Sequence, residues 1–409
     1  MNEQLSVKNF GPIKDATVDF KKVTVFIGPT GGGKSTLAKL AAVFRDSSYS
    51  SQVTNSSIRD ACFNDYLLNS HKKIDSEVFY KDQDQLKILS FEQGSVLVSL
   101  SDKIYSVHKS KIYEASSIIK TTKSLLDKAK IEDDEIRRKA LLDQVEDLIK
   151  RAEDNHSFTR KDIMEKGYNI SVLYAPSDRS FVASIMSSWP GLMRDDIGLP
   201  KTLLKFSNIF FQARDKINDI SIPFLGVQYF RHDKKDYISY SNEESAIHLY
   251  EAASGIQSVT PLLVLLEHLS RNTEQAQSFI IEEPELNLYP TAQQGLLNWL
   301  VEKCTTGEND LTITTHSPYI LSHLNLLLYA YQVAEKHPDR AEDVAKIVPR
   351  ASWINPQEFA CYQVENGGVQ SLVNAELGLI DNNELDALSG DAADAFDNLI
   401  RLSKGVAVR

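Results

Sequence analysis

Residues 28–36 read GPTGGGKST, and the fold turns on that stretch. Gly28, Gly33, Lys34 and Ser35 satisfy the spacing G-x-x-x-x-G-K-[S/T]. An apolar run, VTVFI (23–27), precedes it, and a helix-compatible run, KSTLAKLAAVF (34–44), follows. Strand, glycine turn and helix in that order are the context in which this spacing cradles phosphate. The glycines Gly28, Gly31, Gly32 and Gly33, with Pro29 and Thr30 among them, let successive N–H groups turn inward around phosphate oxygens. The helix N-terminus adds the positive end of its dipole. Lys34 supplies a point charge for the β- and γ-phosphates, Ser35 a hydroxyl for Mg²⁺, and Thr36 closes the loop. The competing reading is a chance glycine-rich turn, which the flanking strand and helix disfavour.

Such a loop serves kinases, GTPases and motors alike, so the rest of the chain must discriminate. Residues 278–290, SFIIEEPELNLYP, end a buried-strand pattern in two adjacent acids. Side chains alternate along a strand, so Glu282 and Glu283 face different ways and suit two tasks. Glu282 is assigned to Mg²⁺, held through water because that ion dehydrates reluctantly. Glu283 is assigned to the water that attacks the γ-phosphate. In YEAASGIQSVTPLL (250–263), Ser254 reads as an N-cap with Gly255 beside it. The chain thus offers a second helix start suited to phosphate but only one glycine loop. Pairing about a twofold axis would set each Ser254-Gly255 against the partner's nucleotide. In LTITTHSPYIL (311–321), His316 follows a strand and precedes Ser317-Pro318, a good N-cap and first helical residue. From there the imidazole can hydrogen-bond a γ-phosphate and report its loss.

Composition sets the limits. The chain has 409 residues, 42% of them apolar and 25% charged, enough to bury a sizeable core. A net charge of -11 argues against coating nucleic acid by bulk electrostatics, though a local basic patch would still admit it. Cys62, Cys304 and Cys361 are scattered and form no CxxC pair, which predicts a reducing compartment and no structural zinc. The start MNEQLSVKNF lacks the features of a signal peptide, and TPLLVLLEHL is too short to span a bilayer. The expectation is a cytoplasmic protein without a membrane partner.

Strand patterns at LSVKNF, ATVDF and VTVFIG, then LKILSF, SVLVSL and KIYSV, predict a first part at 1–111 with an antiparallel β subdomain. Residues 112–167 switch to helical spacing and read as an inserted, solvent-facing helical hairpin. Residues 168–409 return to α/β alternation: the strand ISVLYAP, a hairpin through GVQYFRHDKKDYISYS, and a hairpin turning at Asn366-Gly367. The tail GDAADAFDNLIRL reads as an amphipathic helix.

Phosphate loop, S-G pair, acid pair and histidine occur in the order of an ABC-type AAA ATPase head. The opening LSVKNFGPIKDATVDF is similar to the N-terminus of the SMC/RecF branch. YAPSDRS, ASGIQSVTPL, EEPELNLYP and TTHSPYIL most resemble compact bacterial ATPases near the OLD (overcoming lysogenization defect) family. The resemblance covers about residues 1–45 and 170–320. It implies an α/β fold, a P-loop NTPase of ABC-ATPase head type with antiparallel β subdomain and helical insertion. It also implies ATP and Mg²⁺ as cofactors, ATP hydrolysis, and a homodimer formed as an ATP sandwich, open to higher oligomers. In that dimer Ser254 and Gly255 contact the nucleotide across the interface, Glu283, His316 and Lys34 are catalytic, and Ser35 and Glu282 hold the metal. Many relatives act with a separate or fused effector, often a nuclease, in anti-phage defence, and the partner expected here is a separate nuclease or toxin. The sequence departs from the pattern in four places. Glu282 replaces the usual aspartate, Ile256 replaces a second glycine, Tyr289 stands where relatives often have histidine, and no Q-loop glutamine can be assigned. Arg179 either approaches the nucleotide or pins a loop. No D-x-D follows His316, so nuclease chemistry is expected in a partner. The alternative is a RecF-like DNA-binding repair or recombination ATPase. A transporter subunit and a small-molecule kinase leave more of these motifs unexplained.

Overall fold

Alternating and continuous apolar runs become strands in chain order: β1 (Glu3–Phe10), β2 (Ile13–Phe20), β3 (Val23–Ile27), β4 (Glu77–Asp82), β5 (Gln85–Glu92), β6 (Ser95–Ser99) and β7 (Ser171–Ala175). Then come β8 (Asp219–Ile222), β9 (Val227–His232), β10 (Lys235–Tyr240), β11 (Ala246–His248), β12 (Gln277–Glu282), β13 (Asp310–Thr314), β14 (Phe359–Glu365) and β15 (Gly368–Ser371). The computed structural model describes residues 3–46, 65–66, 68, 76–82, 85–92, 95–99, 171–185, 198–241, 245–271 and 276–381, with positions 395–396, 398–400 and 403. The expected strand at 103–107, the helical hairpin at 112–167 and both of its boundaries lie outside these residues. So does Cys62. Of the expected tail helix, positions 395–396 and 398–400 are described, and they are helical.

A six-stranded sheet runs β15-β14-β3-β13-β12-β7. The pairs β14·β3, β3·β13, β13·β12 and β12·β7 are all parallel, and only β15 is antiparallel. β3, β12 and β13 are buried at every position, the signature of strands covered on both faces. Their side chains divide between two cores. Val23, Val25 and Ile27 face one, with Phe279 and Ile281, while Phe26 and Ile280 face the other.

The second core lies between this sheet and an antiparallel sheet ordered β2-β1-β4-β5-β6, with helix α1 (Lys34–Arg45) in the same layer. α1 is buried on nearly every side, hence its run of Leu, Ala and Val rather than an amphipathic pattern. The antiparallel sheet was expected; β4 is an addition to the sequence reading. Helices α2 (Ser180–Ile185), α3 (Lys201–Ala213), α4 (Ser254–Ser270), α5 (Pro290–Cys304) and α6 (Pro318–Lys336) supply the opposite layer, with α7 (Ala341–Ile347) beyond them. A four-stranded sheet ordered β11-β10-β9-β8 completes that side.

Two foreseen hairpins form. Asn366 and Gly367 both take positive φ between β14 and β15, and Asp233 and Lys234 do so between β9 and β10. Arg45 is nearly inaccessible: its guanidinium grips both carboxylate oxygens of Glu3 and reaches Ser278 and Asp310. This buried, fully hydrogen-bonded cluster ties β1, α1, β12 and β13 together. Among the described residues, Cys304 and Cys361 are buried thiols outside any disulfide, and burial pushes both up. No described helix is long and apolar enough to cross a membrane.

Candidate functional site

Parallel strands leave their carboxyl ends on one edge, and ligands of open α/β sheets gather there. β13 lies between β3 and β12, so three loops meet: the glycine loop after β3, Thr315-His316 after β13, and Glu283 after β12.

The loop is held from the C-terminal part of the chain. A Cβ on Gly28 would sit 2.3 Å from the Val364 carbonyl oxygen at the end of β14, and φ there is +138°. Gly33 is the left-handed residue from which α1 starts, and no side chain caps it. The first-turn N–H groups therefore remain open to an anion. The Lys34 ammonium is buried and donates to the carbonyls of Gly28 at 2.9 Å and Pro29 at 3.0 Å. Burial pushes its pKa down, and the carboxylates of Glu283, Glu282 and Glu285 push back. Ser35 is exposed and Thr36 buried.

The two acids do diverge. Glu282 is buried at the end of β12, and its Oε1 has no hydrogen-bond partner. Beside it lies the buried Tyr174 phenol, pushed well up first by burial and then by the Glu282 charge. An orphaned carboxylate oxygen suits a hydrated Mg²⁺, which would be held by Glu282, by the Ser35 hydroxyl of the glycine loop and by substrate phosphates, and would neutralise charge on those phosphates. Glu283 leaves the strand with φ +41°, and its N–H donates to the Thr314 carbonyl at 2.9 Å. Its Oε1 lies 3.7 Å from His316 Nε2. Burial lowers the His316 pKa, Lys34 lowers it further, and Glu283 opposes both. The neutral imidazole is thus favoured at neutral pH. Protonation would add a cation near Lys34 and tighten the hold on Glu283. If His316 contacts the γ-phosphate as the sequence reading expects, turnover should fall as pH drops below the ordinary value of 6.5, and a pH-rate profile of His316→Gln should lose that limb.

Arg179 resolves as the pin. It is 0% exposed, and Nη1 donates to the carbonyls of Pro176 at 3.1 Å and Glu282 at 2.7 Å. Nη2 donates to those of Glu283 at 2.8 Å and Pro284 at 3.0 Å. One planar fork thus fixes the backbone that aims Glu283. Lysine carries the charge but cannot span these four oxygens. Misplacing a catalytic group by an ångström can cost about 10²-fold, so, if Glu283 activates the attacking water as the sequence reading expects, Arg179→Lys should lower kcat by up to that factor. KM for ATP should stay put, because Lys34 and the glycine loop are untouched. A parallel rise in KM would show general disruption instead.

Glu285 joins the site without having been foreseen, although the third acid of EEPE was its visible trace. It is buried, accepts from the Thr315 hydroxyl and from the His316 N–H at 3.2 Å, and burial raises its pKa. It fixes the backbone of His316 as Arg179 fixes that of Glu283. Ser317 caps α6 as expected, accepting from Ile320 N–H.

One expectation is corrected. Ser254 is not the N-cap of α4: Ala253 is, because Gln257 N–H already bonds its carbonyl, and Ser254 becomes the first helical residue. No side chain caps this 17-residue helix. Ser254 is exposed, while Gly255 is buried, where a Cβ would lie 2.6 Å from the Asn287 carbonyl oxygen. Glycine at 255 thus seats the helix start directly on the backbone that follows the acid pair.

A family model described as AAA ATPase domain matches residues 1–184 and 193–321. The SMC head domain from Thermotoga maritima is similar at 10% identity, over 91% of this chain and 98% of that one, with a TM-score of 0.37. The Smc head domain of Pyrococcus furiosus, bound to the C-terminal domain of ScpA, is similar at 11% identity over 90% and 94%, also at 0.37. The recombination mediator RecF is similar at 12% identity over 90% and 97%, at 0.30. None of the curated proteins matches in sequence.

Proposed function

The chain belongs to the AAA ATPase domain family, and from that premise we propose an ABC-type ATPase whose two copies pair around two ATP molecules to control a separate effector. The observation that carries the proposal is the division of phosphate-binding parts. Lys34, Glu282, Glu283 and His316 meet at one sheet edge, while the uncapped start of α4 presents an exposed Ser254. An open helix start with free N–H groups suits an anion. A twofold dimer would give it the partner's γ-phosphate. In this reading ATP closes the dimer, Mg²⁺ binds Ser35 and Glu282, Glu283 orients the attacking water, and hydrolysis releases the pair.

The effector reading rests on the resemblance of EEPELNLYP and TTHSPYIL to OLD-like ATPases. We assign any cutting or poisoning to a nuclease or toxin held in trans, in the setting of anti-phage defence. The test is purification of the tagged full chain from its own cells with ATP present, followed by mass spectrometry. A stoichiometric nuclease or toxin that leaves when ATP is hydrolysed supports the proposal. Recovery of DNA and repair proteins alone, with salt-dependent DNA binding, would replace it with a RecF-like role.

A further inference from the structure

We propose that Tyr250 is the base-contacting residue for the nucleotide held by the neighbouring copy; this rests on the ATP-sandwich reading above. Four rings form a continuous stack on the outward face of the β8–β11 sheet. Phe230 lies on Tyr237 at 5.5 Å and 14°, Tyr237 on His248 at 4.6 Å and 29°, and His248 on Tyr250 at 5.0 Å and 10°. The first three are half-buried, whereas Tyr250 is 48% exposed at the end of the array. One face of its ring is covered by His248, and the stack backs it like a platform. A flat, supported aromatic surface of this kind takes a nucleobase.

The platform is fixed to the start of α4. Gln257, in the first turn of that helix, donates through Nε2 to the carbonyls of Tyr250 at 3.0 Å and Ala252 at 2.7 Å. A capping box between His248 and Glu251 locks the same turn. Tyr250 therefore moves with Ser254. Three residues lie between them, so their Cα atoms are at most about 14 Å apart, within the reach of one nucleoside triphosphate. With the γ-phosphate at Ser254, the purine falls within reach of Tyr250. Gln257 thereby gains a reason to be where it is: it sets the distance between the phosphate end and the base end of the trans site.

The test uses full-length protein and 2-aminopurine riboside triphosphate, whose fluorescence is quenched when its base stacks on an aromatic ring. Sedimentation in the same samples reports pairing. Quenching should appear with dimer formation, persist in Tyr250→Phe and vanish in Tyr250→Ala. The nucleotide concentration needed for pairing should rise about tenfold in Tyr250→Ala. A Tyr250→Ala dimer that forms at the wild-type concentration with undiminished quenching overturns this proposal and leaves the sandwich intact. Wild-type protein that stays monomeric with saturating nucleotide overturns both.

Discussion

Glu283→Gln is expected to bind ATP normally, pair, and then fail to come apart, with kcat lowered by ~10²–10⁴. Glutamine fills the same volume and can still accept a hydrogen bond from the attacking water, but it cannot take that water's proton. The surrounding geometry should survive the change, because what aims residue 283 is its backbone. That backbone takes φ +41° and is held by Arg179 on one side and the Thr314 carbonyl on the other. Phosphate release under single turnover would give the rate, and size exclusion with light scattering the lifetime of the dimer. Glu285 is the other carboxylate that could be blamed for catalysis, and the geometry argues against it. One of its oxygens already serves Thr315 and the His316 N–H, and it is buried. A Glu283→Gln protein that still hydrolyses within threefold of wild type, alongside an inactive Glu285→Gln, would exchange their roles.

What the sequence disclosed here was local or periodic. β3, β12 and β13 declare themselves as apolar runs because both faces are buried, and GPTGGGKST sits between strand and helix in plain view. The turn at Asn366-Gly367 and the helix start at Ser317-Pro318 follow from the preferences of two residues each. The hidden parts depend on contacts between distant residues. Arg45 meets Ser278 and Asp310 across 233 and 265 positions. Arg179 meets the carbonyl oxygens of 282, 283 and 284 across more than 100, and no side chain at those positions could announce a bond to their backbone. Its two readings therefore stayed open until the fold closed over it. The cap of α4 was misplaced by one residue for a related reason. Serine is the usual cap, but seating Gly255 on Asn287 decided the register, and alanine took the capping position with nothing to offer the free N–H groups.

That uncapped start makes Ser254→Asp the sharpest probe of pairing. A carboxylate in the first turn of a helix is stabilising, by about 0.3–1 kcal/mol, and Ser254 is exposed, so the variant should fold at least as well as the parent. Facing a γ-phosphate, the same carboxylate meets a like charge. At about 4 Å in a medium of effective dielectric 20, the repulsion is ~4 kcal/mol per site, which is close to 10³ in the pairing constant for each half of a twofold interface. ATP binding to the monomer should be unchanged, because the glycine loop, Lys34 and Glu282 lie on another part of the chain. Pairing with ATP, measured by sedimentation in the Glu283→Gln background, should disappear, and in the otherwise wild-type chain hydrolysis should fall with it. Raising salt to 0.5 M should not restore either, since charges in direct contact are poorly screened. If Ser254→Asp pairs as readily as its parent, the start of α4 does not face a phosphate. The open N–H groups would then need another anion, and the second helix start in this chain would belong to a partner other than its own copy.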